Sequence, residues 1–140
     1  MSSALERLKN LTDKISSYET LRKENLKILQ TLFFELDMNT KVDDFMDIFE
    51  FKAINLSGAS LLPENLGEAK AGKYLQILAI SYDKDAKVKS KNISLGYYGK
   101  AQDVDPELKD KIVEFIIRFR FEKSFLTLQH YYTMLETFKK

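Results

Sequence analysis

The chain has 140 residues and a mass of 16.3 kDa, with 44% hydrophobic and 31% charged residues, which fits one folded domain with room for a long extension. Twenty-two Lys and Arg against 21 Asp and Glu leave a net charge of +1, so the chain as a whole has no electrostatic pull toward nucleic acid or anionic lipid. The absence of cysteine excludes disulfides, thiol catalysis and thiolate metal sites, and a lone histidine, His130, excludes a multi-histidine metal centre.

Residues 3 to 38 contain neither Gly nor Pro. Apolar residues recur there at Leu8, Leu11, Ile15 and Tyr18, and again at Leu29, Leu32 and Leu36, with Arg22 and Asn25 filling the gap in the same register. This spacing predicts one helix carrying a coiled-coil seam with two polar layers. Ser3 and Glu6 stand at the positions of a capping box. A second set, Leu21, Leu26, Ile28, Phe33 and Phe34, broadens the apolar stripe toward the end of the helix. The segment 1–38 therefore reads as a dimerisation helix whose seam is covered by a second copy, because leaving the leucines wet forfeits about 25 cal/mol per Å². A helix folded back on its own domain is the alternative. Arg22 fixes register in the first reading and snorkels to water in the second.

Residues 39–140 read as a globular α+β head. Phe45, Asp47, Phe49, Phe51 and Ala53 form one face of a predicted first strand. Residues 55–72 hold three glycines and a proline and read as a long connection with a short turn of helix at 63–69. Tyr74 to Tyr82, apolar on both faces, predicts a central strand covered by helices on at least one side. A charged turn follows, and Ile93, Leu95 and Tyr97 alternate as the partner strand of a hairpin. Asp105, Pro106 and Glu107 form a helix start: a capping carboxylate, a proline at the first position and an acid in the first turn. The alternation Arg118-Phe119-Arg120-Phe121 predicts a break, with a last helix beginning near Ser124. The expected order is a long helix, three or more antiparallel strands and two C-terminal helices.

Few residues suggest chemistry. His130 has no nearby Ser or Asp signature and reads as an exposed helix residue. The acidic groups Asp43, Asp44, Asp47 and Asp103, Asp105, Glu107 are explained by flanking and capping rather than by metal binding. No GxxxxGK or GxGxxG loop occurs, and no cofactor is expected. Lys84, Lys87, Lys89, Lys91 and Lys100 concentrate positive charge on the hairpin beside Tyr97 and Tyr98. Lysines that guard an edge strand are preferred to a nucleic-acid site, which stays as an alternative together with a small viral or bacterial inhibitor. Ile116, Phe119 and Phe121 crowd the expected break and are the candidate partner-binding residues, forming a groove if that break lies on the surface. The N-terminal MSSALERLKN holds no apolar run and no stretch approaches a membrane span, so a cytosolic or nuclear protein is expected.

The order of elements resembles a kinetochore RWD-type module, and the C-terminal half is most similar to the globular subunit of fungal monopolin, the Csm/Pcs-type chromosome-segregation proteins. The stretches that carry the resemblance are YLQILAISYD from Tyr74, the aromatic strand Ile93 to Tyr98, the acidic linker Asp103 to Glu107, VEFIIRFRF from Val113, and the Tyr-rich helix through Gln129, His130, Tyr131 and Tyr132. The resemblance implies a nuclear, non-enzymatic scaffold. It would dimerise through the coil and hold kinetochore subunits in an apolar groove on the head, with Phe119, Phe121 and Ile116 as the groove residues.

Overall fold

The computed structural model describes residues 3–82 and 90–138. Helix α1 spans Ala4–Glu35. Its start is the capping box expected from the sequence: the Ser3 hydroxyl accepts from the Glu6 amide at 3.1 Å, and the Glu6 carboxylate accepts from the Ser3 amide at 3.3 Å. Leu36 closes the helix, and Asp37 follows in the left-handed region at φ 56°.

The chain then turns through Met38–Thr40 and Phe45–Glu50, both 3₁₀ segments. The first strand expected from Phe45 through Ala53 is therefore corrected to a short helix over its first six residues. Phe45, Ile48 and Phe49 are the buried residues, at helical spacing, while Asp47 is exposed and Asp44 caps the segment through the Met46 amide. Strand β1 begins later, at Ala53–Ser57. The connection after it contains one short turn, Pro63–Asn65.

Strands β2, Tyr74–Tyr82, and β3, Ser90–Lys100, complete a three-stranded antiparallel sheet in the order β1-β2-β3. The register pairs Ile54 with Ala79, Leu56 with Ile77, and Ala79 with Ile93. Leu75, Ile77 and Ala79 are buried on the helix side, whereas Gln76, Leu78 and Ile80 are only half-buried. The second face of the sheet is open at Tyr74 and Tyr97, whose rings stack with centroids 6.0 Å apart.

Helix α2 runs unbroken over Pro106–Glu136. Its start matches the sequence reading, with the Asp105 carboxylate accepting from the Glu107 and Leu108 amides. The expected break at 118–121 is absent, and one C-terminal helix replaces the two expected. Ile112, Phe115, Ile116 and Phe119 stand on its buried side at steps of three, one and three, so the helical period prevails over the two-residue alternation of Arg and Phe.

The core lies between the two helices and the sheet. Phe33 of α1, Phe45 and Phe49 of the 3₁₀ segment and Phe119 of α2 form a chain of ring contacts at 5.4, 6.0 and 5.5 Å. The Lys123 ammonium donates to the Phe49 carbonyl at 2.6 Å, tying α2 to the same segment. Burial lowers the pKa of that ammonium.

Candidate functional site: a helix pair and the groove beside it

Helices α1 and α2 run antiparallel. Glu35 meets Lys111 at 3.3 Å, Asn25 meets Arg118, Arg22 meets Glu122 at 2.8 Å, and Tyr18 packs on Phe125 with ring centroids 5.9 Å apart. As the residue number rises on α1 it falls on α2.

The middle of this contact is polar and well satisfied. The Asn25 amide donates to the Arg118 carbonyl at 3.0 Å, and the Arg118 guanidinium donates back to the Asn25 side-chain oxygen at 3.0 Å and to Glu114 at 2.7 Å. The Arg22 guanidinium donates to the buried Glu122 carboxylate and lies 4.6 Å over the Phe125 ring. The polar layers Arg22 and Asn25 thus have partners within their own chain, rather than fixing the register of a second strand or snorkelling to water.

On either side of this polar layer the α1 seam has different fates. Leu29, Leu32 and Leu36, expected at the dimer seam, are buried in the chain's own core. The broad late stripe of α1 makes this possible, since Phe33 beside them is also fully buried. Leu8 and Leu11, in the same register, are 60% and 56% exposed, and Tyr18 is partly exposed. The side chain of Ile15 lies outside the described residues.

The expected partner-binding set also divides. Ile116 and Phe119 are core residues, 0% and 1% exposed, because the helix continues through them and turns them onto the sheet and the 3₁₀ segment. They are corrected from groove to core. Phe121 is half-buried and lines a groove of about 510 Å³ together with Leu21, Leu66, Val113 and Ile117. Asp110, Glu114 and Arg118 line it as well, with Glu114 held by Arg118 at 2.7 Å. Its far wall is set by the 60s loop: the Ser60 hydroxyl donates to Asn65 at 2.6 Å, and the Gly67 amide, in a residue with φ 81°, donates to the Ser60 carbonyl at 2.7 Å. The sequence reading missed Leu66, Val113 and Ile117. The only signal available for Leu66 was an isolated leucine in a turn-rich loop.

Among the described residues no group of three or more His, Cys, Asp or Glu is placed to hold a metal. His130 is exposed, and its nearest ring neighbour is Tyr131 at 6.0 Å. Of the hairpin lysines, Lys84, Lys87 and Lys89 lie outside the described residues, while Lys91 and Lys100 are exposed. No described helix is long and apolar enough to cross a membrane.

Comparison with protein-family models, with curated proteins and with solved structures finds no match.

Proposed function

We propose that this protein is a non-enzymatic dimeric scaffold. The leading half of α1 pairs with a second copy as a coiled coil, and the head holds a segment of a partner protein in the groove beside Ile117 and Phe121. The observation that carries the reading is the change of role along one helix face. Leu29, Leu32 and Leu36 are spent on the chain's own core, while Leu8 and Leu11 continue the same row with more than half their surface in water. A row that keeps its apolar register beyond the body it packs on is supported best by a second helix outside that body. The groove suits a segment with an apolar anchor for Leu21, Leu66 and Ile117 and a basic residue for Asp110. The resemblance to kinetochore RWD-type modules extends the proposal to a nuclear protein of kinetochore assembly and chromosome segregation.

Sedimentation equilibrium at tens of micromolar tests the pairing. The expected result is a species of twice the 16.3 kDa chain mass. A single species at the chain mass over that range would overturn the proposal.

A further inference from the structure

We infer that the interface between copies is built from both helices: the distal part of α2 with the turn that follows it, residues 125–138, joins the leading half of α1 and the same two segments of a second copy of this chain in a four-helix bundle. The inference rests on the pairing proposed above and adds a second surface to it.

The sequence of this part of α2 is unusual for a solvated helix. From Ser124 to Phe138 it carries one formal charge, Glu136. Two apolar rows run along it, Phe125, Leu128, Tyr132 and Leu135 in one and Tyr131, Met134 and Phe138 in the other. At 100° per residue the rows lie about 100° apart and span a sector of about 180°. A two-stranded coil covers a narrow a/d seam, whereas a sector this wide is the pattern of a helix flanked by two neighbours.

One neighbour is available within the chain. The antiparallel pairing of Arg22 with Glu122 and Tyr18 with Phe125 sends the leading half of α1 and the distal part of α2 in the same direction from the head. That neighbour is insufficient, because Leu128, Tyr131, Tyr132 and Leu135 are each more than half exposed. The apolar side chains left wet on the two segments amount to on the order of 1,000 Å² per chain, against the ~800 Å² per partner of a standard-size interface.

A second copy is the occupant that matches what is left uncovered. It brings the same two stripes, and an isologous contact closes all four into one core. The charges on the leading half of α1, Glu6, Arg7, Lys9, Asp13 and Lys14, are of both signs and sum to only +1, which suits a water-facing rim of a bundle better than the strong cationic excess that draws an amphipathic helix to anionic lipid.

The test compares the full chain with two double variants by sedimentation equilibrium, with far-UV circular dichroism as the control for folding. Leu8→Glu with Leu11→Glu removes the α1 seam. Tyr131→Glu with Leu135→Glu removes the α2 rows, at positions exposed enough to leave the head intact. Both variants are expected to raise the dimer dissociation constant at least 100-fold. If the α1 variant becomes monomeric and the α2 variant dimerises with unchanged affinity, the bundle is wrong and the coiled-coil pairing stands. A monomeric wild type overturns both, and a monomer that cosediments with phosphatidylserine vesicles assigns the surface to lipid instead. Because the chain has no cysteine, Tyr131→Cys adds a direct readout. It should form an interchain disulfide at least tenfold faster than Ser57→Cys on β1, and equal rates would overturn the bundle.

Discussion

Single side chains carry two of the expectations. The Tyr98 hydroxyl is buried with no hydrogen-bond partner among the described residues, and burial, followed by the nearby Asp37 charge, raises its pKa above 10.0. Tyr98→Phe removes an unsatisfied hydroxyl and should stabilise the fold by about 1 kcal/mol at pH 7. Above pH 10 the unfolded wild type gives up its phenolic proton before the folded state does, so wild-type stability falls as pH rises and the advantage of the variant widens. Urea melts at pH 7 and pH 10.5 check both statements, and an unchanged difference would show that the phenol is not protected. The Arg22–Glu122 pair behaves oppositely. Arg22→Ala strands a carboxylate with little access to water and should cost about 2 kcal/mol, discounted from a fully buried pair because Arg22 is partly exposed. Arg22→Met combined with Glu122→Leu should recover most of that loss in the same melts. None of this was legible in the sequence. Arg22 stood out as a polar layer, but its partner lies 100 residues away and nothing in the local pattern marks Glu122 as buried.

At the scale of elements, legibility followed the strength of the local rule. The capping box at Ser3, the cap and proline opening α2, and the bounds of β2 were readable because each depends on neighbours within a few residues. Two misreadings share one cause, an apparent period of two laid over a helical one. Phe45, Asp47, Phe49 and Phe51 alternate, yet only the helical subset Phe45, Ile48 and Phe49 is buried. Arg118 to Phe121 alternate, yet Phe119 belongs to the row of Ile112, Phe115 and Ile116, and Arg118 is held by Asn25 and Glu114. The continuous α2 separates the two phenylalanines by function. Phe119→Asp places a charge beside Phe49 in the core and should unfold the head, seen as loss of the cooperative melt. Phe121→Asp sits on the groove and against Phe125, and should cost no more than about 2 kcal/mol while preserving the melt. Equal outcomes for the two would contradict their placement.

Across the whole molecule, the groove depends on three separated stretches, α1 through Leu21, the 60s loop through Leu66 and α2 through Ile117. Their meeting was not readable, because it follows from how α1 lies on α2 and no periodicity within either helix reports it. Ile117→Asp changes the groove at an exposed position without touching the core. It should leave the circular dichroism spectrum and the dimer mass unchanged while abolishing retention of the proteins that the wild-type chain captures from nuclear extract. Retention at wild-type level would remove the groove from the proposed function.

The Arg22–Glu122 pair sits where the two helices pass from the body into their outward segments. Sliding α1 along α2 by one turn would carry Arg22 about 5.4 Å from its carboxylate and dissolve the match with Asn25 and Arg118 as well. The polar layer therefore works as a ratchet stop, setting how far each arm reaches and at what rotation. Two such molecules clasped by their arms would hold their bodies at one fixed spacing, a spacer with a built-in length rather than a flexible tether.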